Sequence, residues 1–322
     1  GPKKTPYFAP KPSSSLLRRV LDVPPERWTP QERVDLIADL SESILEDPSS
    51  ALTSSRVEVS SSPSGGEVGS SRRANKKKDV DDDDGVESSK KEPQYHKTQS
   101  KVNQLIDIAS ISRNGHDARA ARLAVLSLLA IFQDILPGYR IRLPTEAEAS
   151  VRVTKEVKAT WDYERKLLQA YQRYLQLLER TWEEGKSGRR WSDDRGKKGN
   201  KNQGGGPPTT LAATAILALS ALLKTSYNFN FRTNILQVVV RHANHRSSEE
   251  VRCACCDALS TMFARDARGD ASLEAVRLMA KMIKQQSANN SNNGNNRGSN
   301  VRPELLNTWL SLPLRVHEDE AA

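Results

Sequence analysis

Eight residues constrain the middle of this chain more than any other feature. Val157, Trp161, Glu164, Leu168, Tyr171, Leu175, Leu178 and Trp182 step by 4, 3, 4, 3, 4, 3 and 4 positions. Alternating steps of four and three keep side chains on one side of an α-helix, so the eight form a heptad seam with Glu164 as its one polar position. Leu167, Tyr174 and Leu177 widen the stripe. Just upstream, after Pro144, Thr145-x-x-Glu148 reads as a capping box. The threonine oxygen accepts from the Glu148 amide, and the glutamate reaches back. Together these features predict one helix of about forty residues, docked along other helices.

Every other periodic segment is also helical. Leu36, Ile37, Leu40, Ile44 and Leu45 mark a short amphipathic helix that stops at Asp47-Pro48. Leu105 to Ile111 make another. Ala118 to Leu136 is apolar almost all round, which requires burial on most sides, and Pro137-Gly138 breaks it. Four shorter helices follow: Thr209 to Lys224, Phe231 to Ala243, Ser247 to Phe263, and Asp270 to Gln285, the third opened by a capping box at Ser247-x-x-Glu250. The two pairs start 38 residues apart, near the ~40–47-residue period of armadillo and HEAT repeats. No alternating β-branched segment demands a sheet. The expected fold is all-α, an armadillo/HEAT-like helical-repeat solenoid with one long helix and long disordered insertions.

Composition explains the insertions. Hydrophobic residues are 36% and aromatics 5% of 322 residues, too few for a chain packed throughout into cores. The expected organisation is a basic tail at 1–30, an N-terminal helix at 31–47 and a disordered linker at 48–100. A helical region with the long helix at 101–184, a basic Gly-rich loop at 185–208 and a helical-repeat region at 209–316 follow, the last interrupted by a disordered Asn-rich insertion at 286–300. The chain opens Gly1-Pro2 without an initiator Met, so it reads as a fragment or as carrying a cloning remnant. The greasiest run, Leu123 to Phe132, is far shorter than the ~20 residues a bilayer needs, and no apolar signal segment follows the basic N-terminus. Three clustered cysteines do not make a disulfide framework, which points to a reducing compartment such as cytosol or nucleus.

The net charge is +9. Residues 1–20 and 185–201 carry +5 each, so the remainder is near neutral at −1. The loop supplies Lys186, Arg189, Arg190, Arg195, Lys197, Lys198 and Lys201. Basic arms of this kind suit a polyanion such as RNA, or serve only as solubilising linkers. Arg72, Arg73, Lys76, Lys77 and Lys78 read either as a nuclear localisation patch or as part of a soluble linker. The acidic run Asp81 to Asp84 reads as solvated linker, with a cation or a basic partner as the sharper alternative.

A catalytic site is not visible. Gly185-Lys186-Ser187 has the end of a phosphate-binding loop, but Arg180 stands where its first glycine is needed and no strand precedes it. His242, His245, Cys253, Cys255 and Cys256 are good zinc-ligand types. A helix cannot aim Cys255 and Cys256 at one ion, so core packing is the default there. No enzymatic activity, cofactor or metal is expected.

Several stretches resemble one family. Asp134-Ile135-Leu136-Pro137-Gly138-Tyr139-Arg140-Ile141-Arg142 resembles the D-I-I-P-G-Y-R-I-R signature of the nucleolar complex-associated protein 3 family. In order along the chain, Ile44 to Pro48 resembles its I-L-E-D-P, and Lys155-Glu156-Val157 its S-K-E-V with Thr154 for Ser. Tyr174 to Leu178 resembles Y-L-Q-L-L, Asn228 to Arg232 resembles H-F-N-F-R, and Asp266 to Ile283 resembles the D-x-x-G-x-x-S-L-E-x-V-R stretch. The match spans about 34–316 outside the insertions, which are longer than the family's. The chain stops near Glu320, where the family continues into a second conserved helical domain.

The resemblance implies a non-catalytic helical-repeat scaffold for assembly, rRNA processing and intranuclear transport of large (60S) ribosomal subunit precursors, concentrated in the nucleolus. It implies pairing with the nucleolar complex-associated protein 2 family and contact with precursor rRNA and precursor-particle proteins. The alternative it implies is a chromatin-binding factor in DNA replication initiation; an unrelated cytosolic helical adaptor would require six accidental motifs. The candidate partner- or RNA-binding residues are Tyr139, Arg140 and Arg142 at the Pro-Gly corner, with Arg189, Arg190, Lys197, Lys198 and Lys201 in the loop. Arg140 and Arg142 could fork onto phosphates or carboxylates. The favoured expectation is that they clamp the corner internally, because a buried helix end must be enclosed.

Overall fold

The computed structural model describes residues 28–53, 56–58, 95–97, 99–111, 117–186, 210–245, 248–292 and 301–313. Among these residues the fold is a stack of α-helices around one continuous hydrophobic core. None of its helices is long and apolar enough to cross a membrane.

Helix α1, Pro30–Glu46, starts on a capping box at Thr29 and Glu32 and buries Leu36, Ile37, Leu40 and Ile44. Pro48 does more than end it. With Asp47 accepting from the Ser50 amide at 3.1 Å, Pro48 opens a one-turn helix, α2, Pro48–Ala51, whose Ala51 is buried. The stretch 48–100, expected to be a disordered linker, therefore contributes to the core at its start. It also holds a three-residue antiparallel ladder, β1, Arg56–Glu58, against β2, Tyr95–Lys97, with Val57 opposite His96. This ladder was not foreseen; three residues per strand are too few to show alternation in a sequence.

Helices α3, Lys101–Ile111, and α4, Ala118–Ile135, pack on α1 and on each other. The sequence reading buried α4 on most sides. Its core face is Ala120, Ala124, Val125, Leu128, Ile131 and Phe132, but Leu126 is 40% exposed and Arg119, Arg122 and Gln133 face solvent. The helix enclosed nearly all round is instead α7, Thr210–Ser226, which buries nine of its side chains. Four alanines, Ala212, Ala213, Ala215 and Ala218, keep it thin, so α4, the long helix, and the two helices that follow all approach it.

The single helix of about forty residues is two helices. The capping box forms, with Glu148 N to Thr145 Oγ1 at 3.4 Å and Thr145 N to the Glu148 carboxylate at 2.9 Å, but the helix it starts, α5, Glu146–Ser150, lasts five residues. The chain then breaks, and Thr154 caps a fresh start through the Val157 amide. The long helix α6, Lys155–Lys186, has 32 residues. Its buried stripe is Leu167, Ala170, Tyr171, Tyr174, Leu177, Leu178 and Trp182, the later seam members Tyr171, Leu178 and Trp182 together with the flank beside them.

Helices α8, Arg232–Ala243, α9, Glu249–Arg265, and α10, Asp270–Asn292, complete the stack. The cap of α9 is Ser248, whose side chain accepts from the Val251 amide, and not the expected Ser247, which is outside the described residues. Helix α10 runs into the stretch expected to be an Asn-rich insertion; residues 293–300 of that stretch are outside the described residues. A last turn, α11, Pro303–Asn307, and a 3-10 turn, Thr308–Ser311, fold back on α9. Arg252 reaches Glu304 at 3.2 Å and the His245 carbonyl at 3.3 Å, while the Arg302 amide donates to Asn244 at 2.8 Å.

A candidate interaction groove between three motifs

The Pro-Gly corner follows α4 directly. Leu136 is extended, as the residue before a proline must be, and its amide still closes the last turn onto Phe132. The corner is not pinned by its arginines. The Arg142 side chain is 77% exposed and pairs with Glu148, itself 47% exposed, at 2.8 Å. Arg140 is exposed as well. The expectation of internal arginine clamps is therefore corrected, and the reason is physical: a backbone clamp does the work. The Ile141 amide donates to Asn230 Oδ1 at 2.9 Å, and Asn230 Nδ2 donates to the Ile141 carbonyl at 3.0 Å. Ile141 itself is buried.

Sequence reasoning did not single out Asn230. The available signal was an amide side chain between two aromatics, Phe229 and Phe231, just before a helix. Phe229 is buried and meets Tyr171 edge-on at 5.4 Å. Tyr171 and Tyr174 of α6 both contact Phe132 of α4, at 5.3 and 5.1 Å, and the Tyr174 hydroxyl donates to the Val125 carbonyl at 2.9 Å. Phe231 has φ 64° and is the N-cap of α8, and it has the one positive φ of a non-glycine residue among the described residues. Next to it, Arg232 donates to Glu274 at 2.9 Å, and Thr233 donates to the same carboxylate. Asp266 completes the frame, accepting from the Gly269 amide at 3.1 Å and the Ser272 amide at 2.7 Å at the start of α10. Gly269 has φ 77°, a left-handed turn that suits glycine.

These contacts bring together three stretches far apart in sequence: the Asp134–Arg142 corner, the Asn228–Arg232 turn and the start of α10. Between them lies an open groove of about 960 Å³. Its wall includes Arg140, Arg232, Leu273, Glu274, Arg277 and Lys281. Arg232 is satisfied by Glu274, whereas Arg140, Arg277 and Lys281 are exposed, and Leu273 is 50% exposed among them. A rim with exposed cations around an apolar side chain suits an anionic macromolecular partner. Tyr139 stands beside this rim, 59% exposed, and donates to Glu164 at 3.0 Å, which raises the phenol above its ordinary pKa.

The remaining candidates separate. Arg189, Arg190, Lys197, Lys198 and Lys201, and Arg72, Arg73, Lys76, Lys77 and Lys78, lie outside the described residues. His242 and His245 both pack edge-on against Trp182, at 4.2 and 5.5 Å, and His242 Nδ1 lies 2.7 Å from the Val238 carbonyl. Cys255 is buried beside Ser220 at 3.4 Å, and Cys256 donates toward the Ala243 carbonyl at 3.7 Å, whereas Cys253 is exposed. Burial pushes the Cys255 thiol up to about 12 and that of Cys256 to about 11, which keeps both protonated at neutral pH. Among the described residues no group of three His, Cys, Asp or Glu could hold a metal ion.

The fold and groove define a helical packing protein with an open groove assembled from three stretches distant in sequence. The nucleolar complex-associated protein family model matches residues 91–174. Nucleolar complex-associated protein 3 of Arabidopsis thaliana is 36% identical over 188 residues, covering 58% of this chain and 20% of that protein. The mouse nucleolar complex protein 3 homolog is 32% identical over 201 residues, 61% of this chain and 22% of its own length. The Schizosaccharomyces pombe nucleolar complex-associated protein 3 is 30% identical over 166 residues, 52% of this chain and 20% of its own. Over these stretches the chain is similar to the nucleolar complex-associated protein 3 family. It spans about a fifth of the length of the curated relatives it matches.

Proposed function

We propose that this chain is part of a non-catalytic, helical-repeat scaffold that assembles large (60S) ribosomal subunit precursors in the nucleolus and serves their rRNA processing and transport within the nucleus. The observation that most supports this reading is the groove itself. Three family motifs meet there through the Asn230–Ile141 clamp and the Arg232–Glu274 pair, and they leave Arg140, Arg277 and Lys281 on the rim. A frame fixed by these contacts, with exposed cations on its rim, suits the holding of a partner. The relatives' names place those proteins in a nucleolar complex. A nucleolar complex-associated protein 2 family member, precursor rRNA and precursor-particle proteins are the partners of this reading, with Tyr139, Arg140 and Arg142 at the contact. The basic loop around Lys197, Lys198 and Lys201 adds phosphate contacts, and Arg72 to Lys78 directs nuclear import.

The test is affinity purification of the full-length protein, with sequencing of bound RNA and identification of co-purifying proteins. Large-subunit precursor RNA is expected. Recovery of origin-bound replication factors without that RNA would instead support the chromatin-binding alternative. Arg140→Ala combined with Arg277→Ala is expected to lower co-sedimentation with the precursor while leaving the melting temperature unchanged.

A further inference from the structure

Between Ile141 and Leu167 no residue of this protein is buried. The stretch is nevertheless ordered into α5 and the first turns of α6. Its order comes from local devices: the Thr145–Glu148 capping box, the Thr154 cap and the Arg142–Glu148 ion pair. Helices this short are marginal in water without a surface to pack on. Along α6 the first side chain packed on the core is Tyr163, so the helix stands off the core by two turns, about 12 Å at 1.5 Å per residue.

The stand-off segment is not merely polar. Leu143 is 38%, Val151 62% and Val157 39% exposed, and Trp161 is half-buried. Val157, Trp161, Glu164 and Leu168 occupy one face by spacing, and they continue the seam whose later members, Tyr171, Leu178 and Trp182, are buried. The seam thus begins with no buried member, and Tyr139 of the Pro-Gly corner meets it at Glu164. On one flank, Lys158 and Arg165 occupy equivalent positions one heptad apart, and on the other stand Thr160 and Leu167. Neither flank position is itself an acid; Asp162 on the adjoining row lies 3.6 Å from Arg165 in an exposed pair that leaves both side chains about half accessible. Such flanking charges choose the partner of a helix–helix seam.

We propose that this arm docks an amphipathic α-helix of another protein, one whose apolar stripe is flanked by aspartate or glutamate. Lys158 and Arg165 supply the complementary charge, and Val157 and Trp161 the apolar anchors. A second copy of the chain fits poorly: antiparallel pairing sets Lys158 against Arg165, and parallel pairing sets Glu164 against Glu164. RNA fits poorly too, because residues 142–166 carry six basic and five acidic side chains around an apolar face. Preformed helix lowers the ordering cost of binding, which gives the local caps a purpose that folding alone does not.

The inference is independent of the identity of the particle that the scaffold serves. The test places photoreactive benzoylphenylalanine at Thr160 of the full-length protein in its native complexes, with Arg180 on an outer face of α6 as control. Irradiation at position 160 is expected to cross-link one protein segment with heptad-spaced apolar residues and acidic flanks. Val157→Asp, and separately Lys158→Glu with Arg165→Glu, are expected to lower the yield at least about tenfold, as for loss of an interface anchor, without a change in melting temperature. Cross-links to RNA, to a second copy or to a basic segment overturn the proposal, as does a yield no higher than at position 180 or one indifferent to charge reversal.

Discussion

Asn230 treats Ile141 as a neighbouring strand would, accepting from its amide at 2.9 Å and donating to its carbonyl at 3.0 Å across 89 residues of sequence. One side chain satisfies both backbone groups of a buried residue, in the two-bond pattern of a hydrogen-bonded antiparallel pair. Asn230→Ala leaves both groups without that partner. It is expected to destabilise the fold by about 1–3 kcal/mol in urea unfolding. Asn230→Asp, which keeps the acceptor and loses the donor, is expected to be destabilising as well; a neutral Ala variant would show that the clamp is dispensable.

The two tyrosines that contact Phe132 should respond in opposite ways to loss of their hydroxyls. Tyr174 donates to the Val125 carbonyl, whereas the buried Tyr171 hydroxyl has no hydrogen-bond partner among the described residues. Tyr174→Phe is expected to cost about 1 kcal/mol, and Tyr171→Phe to be neutral or stabilising. Thermal or chemical unfolding of both variants distinguishes the two cases directly.

The exposed arginines of the corner should matter little to the fold. Arg142→Ala removes a pair whose members are 77% and 47% exposed, so its cost is expected to lie within about 1 kcal/mol. A larger loss in denaturant titration would return Arg142 to the clamping role that sequence reasoning favoured.

The thiols offer a chemical readout of packing. At neutral pH, Cys253 is expected to react with a maleimide in the native state, while Cys255 and Cys256 stay protected until the core opens. Burial raises the pKa of both protected thiols, so their reactivity rises only toward pH 11–12, provided the fold survives there. Rapid native labelling of all three would mean that α9 is not enclosed.

The pH dependence of the arm follows from Glu148. Hydrogen bonds from the Thr145 backbone and side chain hold its carboxyl below the ordinary 4.5, with the Arg142 charge adding to the effect. A depressed carboxyl pKa contributes stability that is fully present above the unfolded value and fades as pH falls through the folded one. Amides of Glu146–Ser150 are therefore expected to lose hydrogen-exchange protection below about pH 4.5 before those of α7 do.

Helix existence was legible from apolar spacing at nearly every element, because a 3.6-residue period survives in a single sequence. What spacing cannot weigh is the company a helix keeps. Val157 and Leu178 occupy equivalent seam positions, yet one is 39% exposed and the other buried, since the core reaches only the later turns of α6. The same limit exchanged the roles of α4 and α7. Thr145 signalled a helix start correctly, but Thr154 offered a second start nine residues on, and the two caps divide what the seam appeared to join. At the groove, the Pro-Gly corner stood out by its motif, while its true fastening lay in Asn230, a residue whose role is defined only by the fold.

Phe231 carries a consequence of its own. A bulky residue at φ 64° costs free energy that an ordinary backbone would not. It is held there by Phe229 in the aromatic core, by Asn230 on Ile141 and by Arg232 on Glu274. Releasing any one of these lets the turn relax and loosens the other two. The three fastenings are thus thermodynamically coupled, and a double-mutant cycle between Asn230 and Glu274 should return an interaction energy although the two side chains serve different walls of the groove.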